Sequence, residues 1–133
     1  MKYVLDTHAI HWNISEPDKL GELAGPILLR ARHTALVISD VSLSELARHL
    51  VAGNIAVNEN HETWLETVAR GHVVIPVSAR IALLAASYAF TFVHKDPYDR
   101  HILATAHMLK LPLITVDATL TKAAAEIGVK VIW

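Results

Sequence analysis

Short, continuously apolar runs alternate along this chain with longer stretches in which apolar residues recur every three or four positions. The runs lie at 2–5, 35–39, 73–77, 112–116 and 129–132 and are rich in Val, Ile and Leu. None shows the strict apolar–polar alternation of a strand with one wet face. They therefore predict strands of a sheet covered on both sides. The periodic stretches predict helices at 19–32, 41–52, 60–70, 78–91, 98–110 and 118–127, with a short helical turn near 8–13. Within 78–91, Ile81, Leu84, Ala85 and Tyr88 share one face. Local punctuation agrees with these bounds. Asp40 is placed to cap the helix that follows it, and Gly53 stands just past its end. Asn60 and Gly71 bracket the next helix, Ser78 opens another, Pro112 prevents continuation past Leu111, and Gly128 separates the last helix from the last strand.

Strands alternating with helices imply parallel βαβ units with right-handed crossovers. The expected fold class is α/β, a three-layer sandwich around a central, mostly parallel sheet of about five strands. A chain of 133 residues fits one domain, 1–133, with no internal repeat, low-complexity tract or linker.

Chain direction then places chemistry. Asp6 ends the run Tyr3-Val4-Leu5, and Asp117 ends Leu113-Ile114-Thr115-Val116. Both belong at the carboxyl ends of strands, where open parallel sheets bind ligands. Glu45 falls in the first turns of the helix after a strand, and Asp96 and Asp99 open the helix after Lys95. Each acid alone has an ordinary explanation as a cap, a turn residue or a solvated helix position. Five such acids at one sheet edge form a cluster that needs a cation to hold it together.

Composition removes alternatives. The chain has no Cys, which excludes disulfides, thiolate zinc sites and a Cys nucleophile, and is compatible with a cytoplasmic location. No run approaches the ~20 apolar residues that span a bilayer, and the N-terminal apolar stretch is too short for a signal peptide. The formal net charge is −1, with 12 Lys and Arg against 13 Asp and Glu. Without the five clustered acids the remainder carries +4, so the overall balance is only a weak objection to a nucleic-acid ligand.

Oxygen donors from separate elements suit Mg2+ or Mn2+, hard cations that lower the pKa of a bound water and offset phosphate charge. Such a site needs no side-chain nucleophile.

At this point the chain resembles the PIN-domain nucleases. Tyr3-Val4-Leu5-Asp6-Thr7-His8 is similar to the family's opening motif. Ser42-Leu43-Ser44-Glu45-Leu46 is similar to the segment with the family glutamate, and Leu113-Ile114-Thr115-Val116-Asp117 to the fourth-strand motif. Asp96-Pro97-Tyr98-Asp99-Arg100, continuing to Ala106, resembles the DPFDR-type motif of the VapC toxins, with Tyr for the commoner Phe. The resemblance runs in order along nearly the whole chain. It implies a metal-dependent endoribonuclease, the toxin of a toxin–antitoxin pair, with RNA as substrate, an antitoxin partner and a homodimer. It implies Asp6, Glu45, Asp99 and Asp117 as metal ligands, with Asp96 in the wider catalytic set. Thr7, Thr115 and Arg100 are expected to support the site or bind substrate.

Other residues carry less. His8 and His11, at i and i+3, have no evident third ligand for zinc. Arg100 and Lys95 are expected either to hold phosphate or to balance the acids, Arg100 equally as a structural ion pair. Trp12, Trp64 and Trp133 are too dispersed in sequence to be read as a stacking platform, Trp12 being the best single candidate. Competing readings are a stand-alone or DNA-directed nuclease, a non-catalytic binding domain, and a signalling domain of the response-regulator kind. The last needs a phosphoacceptor Asp after the third strand, where this chain has Pro76-Val77-Ser78.

Overall fold

A computed structural model describes residues 1–91 and 96–133. Five strands, β1 (Tyr3–Leu5), β2 (Leu36–Ser39), β3 (Val73–Ile75), β4 (Leu113–Ile114) and β5 (Val131–Ile132), form one sheet in the order β3-β2-β1-β4-β5. Every pairing is parallel. Among the described residues seven α-helices accompany them: α1 (Thr7–Ser15), α2 (Ala24–Arg30), α3 (Val41–Ala52), α4 (His61–Arg70), α5 (Ala79–Thr91), α6 (Pro97–Leu109) and α7 (Ala118–Glu126).

Alternation along each central strand sorts the core into two halves. Val4, Val37 and Leu113 face a cluster built with Ile81, Ala85, Tyr88, Ile102, Leu103 and Leu120, from α5, α6 and α7. Leu5, Leu36, Ile38 and Ile114 face the other side, with Ala9, Ile10, Leu28, Leu46, Leu50, Trp64 and Val68 from α1 to α4. The expected three layers are therefore α1–α4, the sheet, and α5–α7. Strand β2 is buried throughout, but all three residues of edge strand β3 are half-buried, so coverage of both faces weakens at that edge.

Several expected bounds change. The predicted 19–32 helix is a 3-10 turn at Pro17–Lys19 followed by the short α2, and the turn near 8–13 is a full nine-residue helix. The Gly-Pro pair at 25–26 starts α2 late, because Pro is tolerated only in a helix's first turn. The strands are shorter than their apolar runs, since the ends of those runs enter loops. Asn60 caps α4 through Glu62 N and Thr63 N, and Ser78 Oγ accepts from Ile81 N. Asp40 does not cap α3. Its backbone is already helical, and its Oδ2 accepts from Val77 N at 3.2 Å, tying the loop after β3 to the end of β2.

The order 3-2-1-4-5 fixes where a ligand belongs. The chain leaves β1 into the α1–α4 layer and leaves β4 into the α5–α7 layer, so the crevice opens between the carboxyl ends of β1 and β4. A response-regulator-like sheet would instead place its first and third strands side by side; here β1 lies between β2 and β4.

Candidate active site

Asp6 leaves β1 with extended backbone and caps α1, its Oδ1 accepting from His8 N at 2.7 Å. Its Oδ2 accepts from the Thr115 hydroxyl, just past β4. Thr115 Oγ1 in turn accepts from Asp117 N at 3.1 Å, and Asp117 Oδ1 caps α7 through Leu120 N at 2.8 Å. One hydroxyl thus links the Asp6 carboxylate to the Asp117 backbone amide. Asp6 is 3% exposed and Thr115 1%. Burial pushes the Asp6 carboxyl above its ordinary range. The Thr115 and His8 hydrogen bonds and the His8 charge oppose that shift, while the Asp117 charge adds to it.

Glu45 approaches from α3. It is 6% exposed, on the same helix as the buried Ser42. Helix α3 contacts both α1 and α6, and the Thr7 hydroxyl donates to Ser42 Oγ at 3.4 Å across the α1–α3 seam. Arg48 stands 3.8 Å from Glu45 Oε2 and also covers the Tyr98 ring at 5.7 Å, so this side of α3 meets the start of α6. Glu45 Oε1 is buried without a hydrogen-bond partner among the described residues. A buried carboxylate oxygen left in that state costs about 1–3 kcal/mol or more, and a cation would repay it.

Asp96 caps α6, its Oδ1 accepting from Tyr98 N at 2.9 Å and Asp99 N at 3.5 Å. Pro97 follows at the position where a missing N–H costs nothing. Asp99 lies in the first turn, half-buried, and Arg100 is half-buried beside it. Asp6, Asp96 and Asp117 are therefore all helix caps, as their ordinary explanation required. Capping engages one oxygen of each, and a carboxylate offers about four lone-pair sites, so capping and ligation do not exclude each other.

As the side chains stand, no three His, Asp or Glu among the described residues converge closely enough to hold an ion. Asp6, Glu45 and Asp117 nevertheless supply hard oxygen donors, one of them orphaned, and that chemistry fits Mg2+ or Mn2+. Asp99 stands in the first turn of α6, which Asp96 caps, and Lys95 lies outside the described residues. His8 and His11 do not act together: His8 faces His49 and Trp12, whereas His11 meets Glu16 at 3.3 Å and Trp64.

Two groups escaped the sequence reading. Arg48 and His49 follow Glu45 at i+3 and i+4, a helical spacing that would have flagged them. Trp12 and Trp133, far apart in sequence, have ring centres 5.8 Å apart, and no local signal announces that. Trp64 is buried core.

The PIN domain family model matches residues 3–126. No curated protein matches the chain. Among solved structures, it is similar to VapBC-1 from nontypeable Haemophilus influenzae (TM-score 0.71, 20% identity, covering 99% of this chain and 97% of that one). It is also similar to a toxin–antitoxin complex from Klebsiella pneumoniae (TM-score 0.69, 22% identity, 99% and 97% covered). A third likeness is FitAcB from Neisseria gonorrhoeae (TM-score 0.66, 21% identity, 98% and 96% covered).

Proposed function

This chain belongs to the PIN-domain family, and from that premise we propose that it is a Mg2+- or Mn2+-dependent endoribonuclease acting as the toxin of a toxin–antitoxin pair. The observation that carries the proposal is the pairing of Asp6 and Asp117 through Thr115 at the sheet's crevice, with the orphaned oxygen of Glu45 on the neighbouring helix. The similarity to toxin–antitoxin complexes supports the partner.

In this reading Asp6, Glu45, Asp99 and Asp117 hold the cation, and Asp96 fixes the start of α6 so that Asp99 faces the crevice. Bound there, the ion supplies a lowered water pKa and neutralises charge on the scissile phosphate. Thr115 holds Asp6 in one rotamer and favours its ionised form. Thr7 and Ser42 set the distance between α1 and α3, and with it the position of Glu45 relative to Asp6. Arg100 supports the start of α6 or a substrate phosphate. Arg48, at the rim, balances the Glu45 carboxylate at 3.8 Å. The antitoxin blocks the acidic crevice, and the toxin works as a homodimer in the cytoplasm. No helix among the described residues is long and apolar enough to cross a membrane.

The test is to incubate purified protein with tRNA and rRNA in Mg2+, Mn2+ or EDTA and map the ends. The expected products carry a 5′-phosphate and a 3′-hydroxyl and vanish in EDTA. Undiminished cutting in EDTA, or 2′,3′-cyclic phosphate ends, refutes a metal-activated water.

A further inference from the structure

Beside the acids runs a line of rings that the proposed chemistry does not use. His8 and Trp12 stand at i and i+4 on one face of α1, with ring centres 5.5 Å apart. His49 lies 6.1 Å from His8 on the α3 side, and Trp133 lies 5.8 Å from Trp12 on the other. Lys19 places its ammonium 5.7 Å from the centre of the Trp12 ring, while Glu16 holds that ammonium at 3.1 Å. The line starts at the site itself, because the His8 amide is the donor to Asp6 Oδ1.

The rings are tilted to one another by 42° to 57°, the contact that aromatic pairs ordinarily prefer. What sets them apart from the buried Trp64 is their exposure. His8 is exposed, and Trp12, His49 and Trp133 are half-buried, whereas Trp64, the third tryptophan, is buried. Half-exposed aromatic rings with a cation beside them are what single strands stack on. A duplex keeps its bases paired and stacked and has none to offer.

We propose that His8, Trp12 and Trp133, with Lys19 against the central ring, form a base-stacking track that holds unpaired RNA on one side of the scissile phosphate. The track rests on the nuclease reading but makes a separate claim. It selects single-stranded substrate by ring faces, without reading base edges, and so tolerates sequence. Trp12 is its centre, touching the ring on either side and the Lys19 ammonium.

The experiment measures binding of a fluorescein-labelled 12-nucleotide single-stranded RNA, its duplex and the matching single-stranded DNA by anisotropy in EDTA. Steady-state cleavage of the same RNA in Mn2+ is measured in parallel. Wild type, Trp12→Leu and Trp12→Phe are compared after thermal melts confirm folding. Losing one stacked base is expected to weaken single-strand binding about tenfold in Trp12→Leu. The rise should appear in KM more than in kcat. Trp12→Phe, which keeps a ring, should retain most of the affinity, and duplex RNA should bind poorly to all three. If well-folded Trp12→Leu binds the single strand as wild type does, the track is refuted while the nuclease reading stands. Trp12-dependent binding without metal-dependent cleavage leaves the track and removes the nuclease. Wild type that binds no RNA, or binds DNA alone, overturns both.

Discussion

Asp6 and Asp40 occupy the same place in two successive βα units, yet the fold uses them in opposite ways. Each follows a buried strand and precedes a helix. Asp6 caps α1, is almost wholly buried, and meets Thr115 from β4. Asp40 caps nothing; half-buried, it ties down the loop after β3 through Val77 N. The difference lies in sheet order. β1 has β4 on its open side, and the chain departs from these two strands to opposite layers, leaving a crevice. β2 lies between β1 and β3, and the following loop fills the space at its end. Position within a unit does not set an acid at the crevice; position relative to the topological switch does.

The sharpest way to break this contrast is to neutralise both acids. Asp6→Asn is expected to lower RNA cleavage by about a thousandfold or more, comparable to losing a principal charge-stabilising group. Asp40→Asn should stay within about twofold. Glu45→Gln, Asp99→Asn and Asp117→Asn should fall nearer Asp6, with Asp96→Asn milder. Initial rates in Mn2+, with circular dichroism as a folding control, decide. Equal losses from Asp6 and Asp40 would mean that the crevice is not the site.

Stability should separate the same pair with opposite signs. Two carboxylates ~5 Å apart repel by roughly 3 kcal/mol at an effective dielectric near 20, an upper guide. Asp6→Asn and Asp99→Asn should therefore raise the Tm of the metal-free protein and shrink the rise that Mn2+ produces by binding the folded state. Asp40→Asn should lower Tm by a few degrees, the loss of about 1 kcal/mol, and leave the Mn2+ shift intact. Melts in EDTA and in Mn2+ measure both. A lowered Tm for metal-free Asp99→Asn with an unchanged Mn2+ shift would make Asp99 a helix-start residue only.

Sequence carried much of this and missed a specific part. The five strands, their parallel direction and the acids at their ends follow from apolar runs and chain direction, because burial on both faces writes itself into consecutive Val, Ile and Leu. The departure of Asp40 was not legible: a helix cap and a loop tie demand the same residue type, and only the position of Val77 tells them apart. The Trp12–Trp133 contact was hidden for a related reason, since β5 returns beside β4 only once the sheet is assembled. The late start of α2 was visible in Gly25-Pro26 and outweighed by apolar periodicity.

A gentler test uses pH. Burial raises the Asp6 carboxyl, so its folded form binds a proton more readily than the unfolded chain does. That contribution to stability is full below the unfolded value of 3.8 and is lost as pH rises through the higher folded value. Metal must displace the proton, so the Mn2+ increment in Tm should grow with pH for wild type and change less for Asp6→Asn. An increment independent of pH in both proteins would uncouple Asp6 from the ion.

The smallest expected effect is a control far from the crevice. Burial lowers the His72 pKa, only partly offset by its hydrogen bond to the Val68 carbonyl at 2.7 Å. The folded state thus prefers neutral His72. Its contribution is full above the unfolded value of 6.5 and is lost as pH falls through the lower folded value. Tm should drop slightly below pH 6.5, and His72→Phe should flatten that drop without altering the Mn2+ increment. An unaltered acid limb in His72→Phe would assign the drop to another group.

The Thr115–Asp6 bond joins residues 109 positions apart. During synthesis the N-terminal acid emerges first, and at ~5–20 residues per second roughly 5–20 s pass before its partner is made. Through that interval Asp6 has neither the neighbouring strand nor the hydroxyl that orients it. Non-local closure of this kind is also slow to form. The crevice edge is therefore among the last features a newborn chain acquires. On the proposed nuclease reading, the ribosome that makes the chain is shielded from it until translation is nearly done, which leaves time for an inhibitor to be waiting.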